Sequence, residues 1–126
     1  MKTMRLESFT PCHYDDIENM SKRQLELAFV SCIYFEPVRE KKHGLCGIDR
    51  SMFDDPILFE LIEILMRTEF NDPSELPDDV LDFMINHKLC SKFDEMNNNG
   101  YSIPALYRMY GNEIEKRSVS TVAPWI

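Results

Sequence analysis

Three places in the chain put histidine close to cysteine: Cys12-His13, His43-x-x-Cys46 and His87-x-x-Cys90. Zinc is held by four such ligands as thiolate and neutral imidazole, and loop-borne pairs two residues apart can chelate it. Gly44 and Gly47 would let the chain turn around an ion. The spacings form no known finger pattern, so the first reading is a helix-end histidine favoured by the dipole and thiols that pack as small apolar groups. The expectation is therefore no metal and no cofactor. Zinc on His43, Cys46, His87 and Cys90 is the alternative.

Other chemistry is thinner. Glu95-Met96-Asn97-Asn98-Asn99-Gly100 places oxygen ligands at positions one, three and five of a calcium loop, with glycine at six. Position twelve is then Leu106, where a bidentate glutamate is required, so a polar turn is the better reading. Asp15-Asp16 and Asp78-Asp79 are adjacent acids, which diverge on a helix and read as solvated capping charges. No phosphate-binding glycine loop, nucleophile elbow or HExxH motif is present. Arg5 to Ile17 resembles the opening strand and helix of Gcn-related acetyltransferases, which hold coenzyme A pyrophosphate on a glycine-rich turn before a helix. This chain supplies no such turn, so the resemblance implies no activity here.

The acids are more informative. The net charge of −8 is regional: residues 49–82 hold eleven acids against Arg50 and Arg67, while the flanking segments are nearly neutral. Glu75, Asp78, Asp79 and Asp82 recur at i, i+3, i+4 and i+7, which predicts a negative stripe opposite Leu76, Val80, Phe83, Met84 and His87. Such charge opposes direct binding to nucleic acid or to an anionic membrane. It suits a protein partner with a basic surface, reached by electrostatic steering.

These residues need elements to position them. Thr10-Pro11 is a turn or the start of a short helix reaching Met20, with Met4 to Phe9 before it as an arm or short strand. Ser21-x-x-Gln24 is a capping box, and its helix stops at Glu36 before Pro37. Ala28 to Phe35, poor in polar residues, also fits a buried strand. Residues 37–53 read as a long loop with a basic part at Arg39, Lys41 and Lys42. Asp54 or Asp55 caps a helix with Pro56 in its first position. That helix, 56–67, is apolar nearly all round and is predicted to be the central, most buried one. Ser74 and Pro77 open the acidic helix, and Ser91 to Met96 forms a short one. Asn97 to Gly100 is a turn. The last helix starts at Ser102 and Pro104, carries Ile103, Leu106, Tyr107, Tyr110 and Ile114 on one face, and runs to Arg117. Gly111 weakens it by about 1 kcal/mol relative to alanine.

The fold expected is all-α: one domain over residues 1–126, a compact array of four to six helices with room for a short N-terminal strand. Residues 1–20 form an N-terminal arm or short elements, and 118–126 a tail in which Trp125 is either docked on the core or an anchor for a partner. No apolar run reaches the roughly 18–20 residues that span a bilayer, and no secretory leader is evident. Four widely spaced cysteines in a chain able to bury a core point to free thiols in the cytoplasm. The function expected is a non-enzymatic protein-interaction module. It would be an acidic inhibitor or immunity-type protein that binds a basic partner, such as a nucleic-acid enzyme, through Glu75, Asp78, Asp79, Asp82 and Trp125. The alternatives are a small zinc-binding regulator and an enzyme of unrecognised family.

Overall fold

The computed structural model describes the backbone of residues 14–122 and the side chains of residues 17–118. Seven α-helices and no strand occur among these residues, one more helix than the upper expectation. They are α1 (Tyr14–Asn19), α2 (Lys22–Phe35), α3 (Pro37–His43), α4 (Pro56–Arg67), α5 (Asp78–Asn86), α6 (Cys90–Asn98) and α7 (Tyr107–Val122). Three 3-10 turns, Arg50–Met52, Pro73–Glu75 and Pro104–Leu106, lead into later helices. The expected strand or arm at Met4 to Phe9 and the Thr10-Pro11 cap lie outside the described residues, as does Trp125.

The central helix is α2. Its start is the expected capping box: Ser21 Oγ accepts the Gln24 amide at 3.1 Å, and Gln24 Oε1 accepts the Ser21 amide at 2.9 Å. Every residue from Leu25 to Tyr34 is buried, and α3, α4, α6 and α7 all pack directly on it. This corrects the assignment of the centre to residues 56–67. In α4 the apolar residues Ile57, Ile64 and Met66 remain half-exposed, so its nearly continuous apolar surface overstates its burial. A folded surface is largely apolar in any case. In α2, by contrast, the serine amid the apolar run is satisfied internally, because Ser31 Oγ bonds Ala28 O and Ser102 Oγ, both at 2.8 Å. The strand alternative for Ala28 to Phe35 is likewise replaced by helix.

The expected loop 37–53 is also corrected in part. Pro37 ends α2 and opens α3, since a helix loses nothing by lacking the N–H of its first residue. Lys41 Nζ donates to Thr68 O at the end of α4 and lies 5.0 Å from the Phe70 ring centroid.

The other helix ends follow local chemistry. Asp55 caps α4 by accepting from the Ile57 amide at 2.9 Å, with Pro56 in the first turn. At the end of α6, Gly100 sits at φ 84° while the Tyr101 amide reaches Met96 O at 2.9 Å, a left-handed cap suited to glycine. The last helix, α7, starts at Tyr107 after the 3-10 turn that holds Leu106, not at Ser102 or Pro104. Leu106, Tyr107, Tyr110 and Ile114 are buried as the periodicity predicts, Ile103 only partly, and the helix continues to Val122 rather than ending at Arg117. Tyr107 stacks on Phe29 of α2, centroids 4.6 Å apart and planes 9° apart. Gly111 answers to packing, not to helix propensity. A Cβ placed there would lie 3.1 Å from Cys46 Cβ and 3.2 Å from Phe29 Cε1. No helix among the described residues is long and apolar enough to cross a membrane.

Candidate functional site

The acidic segment divides into two sets once the side chains are placed. Six of its eleven acids hold the local structure together. Asp49 and Asp72 cap 3-10 turns through the amides of Ser51 and Ser74. Asp54 meets Lys22, Asp55 pairs with Arg23, and Glu63 pairs with Arg50 at 2.8 Å. Glu75 Oε1 accepts the Asn71 amide at 2.9 Å. Glu75 therefore lies in the turn before α5, out of the helical register that its spacing suggested.

The other five, Glu60, Glu69, Asp78, Asp79 and Asp82, are exposed without an ion pair among the described residues, and of these only Asp78, Asp79 and Asp82 share one helix, α5. Asp78 and Asp79 lie in the first turn, where negative charge complements the helix dipole. Leu76, Val80 and Met84 anchor this element in the core. Phe83 is only half-buried, and the exposed His87 ring packs on it at 4.7 Å, so His87 does not line the core as expected. Ile85 is 60% exposed, one of two large apolar side chains left so open among the described residues. The outer side of α5 thus combines three acids with an uncovered apolar group.

The His/Cys pairs occupy separate surroundings. His43 is exposed at the end of α3, and Cys46 packs in the next turn beneath Gly111 of α7. His87 caps α5, while Cys90 opens α6 near Tyr34 and Asp94. Burial pushes the Cys46 and Cys90 thiols up, whereas a metal ligand or nucleophile works as thiolate. Among the described residues no three His, Cys, Asp or Glu side chains gather as a metal site requires. Cys12, His13 and the side chains of Asp15 and Asp16 fall outside those residues. Glu95 and Asn97 lie within α6, not in a chelating loop.

Sequence reasoning missed Glu40. It sits on α3 with 0% exposure, and neither carboxylate oxygen has a hydrogen-bond partner. Burial raises its carboxyl to about 7, with Glu36 adding to the rise and Arg39 opposing it. The only signal in the sequence was the spacing of Pro37 and Glu40, three residues apart in a segment otherwise basic. Buried as it is, the carboxyl is closed to any substrate. A surface recess of about 80 Å³ between α1 and α7, lined by Ile17, Glu18, Met109, Asn112, Glu113 and Lys116, is several times smaller than a typical small-molecule site. Compared with protein-family models, with curated proteins and with solved structures, the chain matches none.

Proposed function

We propose that the protein is a non-enzymatic interaction module whose outer α5 face binds a basic surface on a protein partner, as an acidic inhibitor or immunity-type protein would. One observation carries the reading: Asp78, Asp79 and Asp82 are exposed and have no ion pair among the described residues, while six other acids of the same segment serve caps and ion pairs. Charges that the fold does not use are available to steer an encounter. Ile85 and the partly open Phe83 supply apolar contact beside them. The free thiols of Cys32, Cys46 and Cys90 suit a reducing compartment such as the cytoplasm.

The test compares wild type with the Asp78→Asn, Asp79→Asn, Asp82→Asn triple variant. Both are used as bait in cell extract at low and high salt, and association rates are then measured with any basic protein retained. The wild type should hold such a protein at low salt, and the variant should associate with it about tenfold more slowly. Equal capture and equal rates at low salt would reduce the face to a solubility feature.

A further inference from the structure

The unpartnered carboxyl of Glu40 has a consequence for the helix that carries it. Each element packed around it presents groups that leave the charged form uncompensated. From α2 comes the buried Cys32 thiol, and from the junction of α2 and α3 the Glu36 carboxylate. From the turn after α3 comes Cys46, and from α7 comes Tyr107, whose hydroxyl is already committed to Gly44 O at 2.7 Å. On α3 itself, Arg39 is exposed and Lys41 is engaged by Thr68 O, the contact through which α3 meets α4. A neutral carboxyl tolerates this environment far better than a carboxylate, because an uncompensated buried charge is costly.

We propose that α3 is a proton-controlled latch, closed over Cys32 and Tyr107 while Glu40 is neutral and opening more readily once Glu40 ionises. The segment suits the role. It is a seven-residue helix tethered near its end by Tyr107–Gly44 and Lys41–Thr68, and lifting it would return Glu40 to water without dismantling α2. Local opening of a small element is an ordinary native-state fluctuation. The carboxyl is held at about 7 when buried and reverts toward its ordinary 4.5 when released. The opening equilibrium should therefore rise by about tenfold per pH unit between those values and level off above them.

Hydrogen exchange tests this at the amides of Glu40 and Gly44, which are bonded to Glu36 O at 3.0 Å and Lys41 O at 3.2 Å. Rates are measured from pH 5 to 8 and divided by the intrinsic chemical rates. In the wild type, protection at these two amides should fall steeply up to about pH 7 and then flatten. It should stay constant in Glu40→Gln, and in the wild type these two amides should exchange faster than those of α2 at every pH, because α3 opens without the rest of the fold. A flat wild-type profile, or the same slope in the variant, overturns the latch. Should Glu40→Gln fail to fold, the Glu40 carboxyl carbon in wild-type protein is followed by NMR. A midpoint near 7 supports the latch, and one in the ordinary carboxylate range overturns it.

Discussion

Replacing Glu26 with alanine should be among the most damaging changes on α2. Its side chain is fully buried, and its two oxygens accept the amides of Asp54 at 2.6 Å and Asp55 at 3.2 Å, with Lys22 Nζ 3.4 Å away. Those amides lie at the entry to α4, so one carboxylate ties the start of α4 to the centre of the fold. Burial pushes the Glu26 carboxyl up despite the amides and Lys22 that pull it down. The cost of truncation therefore comes mainly from stranded donors, not from a lost favourable charge. A hydrogen bond to a charged group contributes about 1.5–3 kcal/mol, and stripping one side from a buried charged network costs about 3–5 kcal/mol. Against a total stability of about 5–15 kcal/mol for a small domain, that is a large share. Glu26→Gln keeps one acceptor oxygen but turns an amide group toward one of the donors, so it should lose roughly half as much. Urea unfolding followed by circular dichroism measures both, and hydrogen exchange at Asp54 and Asp55 locates the effect. A loss below about 1 kcal/mol for Glu26→Ala, or a greater loss for the glutamine variant, would refute the argument.

Two further outcomes follow from packing and titration. Glu40 has a folded value of about 7 against an ordinary 4.5, so wild-type stability should decline as pH rises through that window and hold steady above it. Glu40→Gln should remove the decline, giving a relative gain of about 3 kcal/mol at pH 8 over the same comparison at pH 4; parallel stability profiles for the two proteins would contradict this. Gly111→Ala should destabilise by about 1–2 kcal/mol despite alanine's better helix propensity, because its Cβ meets Cys46 Cβ and Phe29 Cε1 at 3.1 and 3.2 Å. Cys46 is itself held at φ 56°, so adding Cys46→Gly should recover stability, and additive losses in the double-variant cycle would exclude the contact.

The sequence determined by itself what depends on near neighbours along the chain. Ser21 and Gln24 mark the start of α2, Asp55 and Pro56 that of α4, and Gly100 the end of α6, because a cap needs only side chains within a few residues of the amides or carbonyls it serves. The spacing of Leu106, Tyr107, Tyr110 and Ile114 likewise shows a helix face without reference to what covers it.

Tertiary structure decided what depends on partners distant in sequence. Both α2 and α4 are apolar enough to be central, and only their neighbours place α2 there. Eleven acids look alike in the chain, and it takes Lys22, Arg23, Arg50 and the turn amides to separate the six structural ones from Glu60, Glu69, Asp78, Asp79 and Asp82. Gly111 resembles a helix defect until Cys46 and Phe29 come within 3.2 Å of it. Glu40 resembles one more charge in a basic loop until α2 and α7 close around it. Burial is set by the whole packed assembly, and an ionisable group takes its properties from that burial, so no local pattern in the chain carries them.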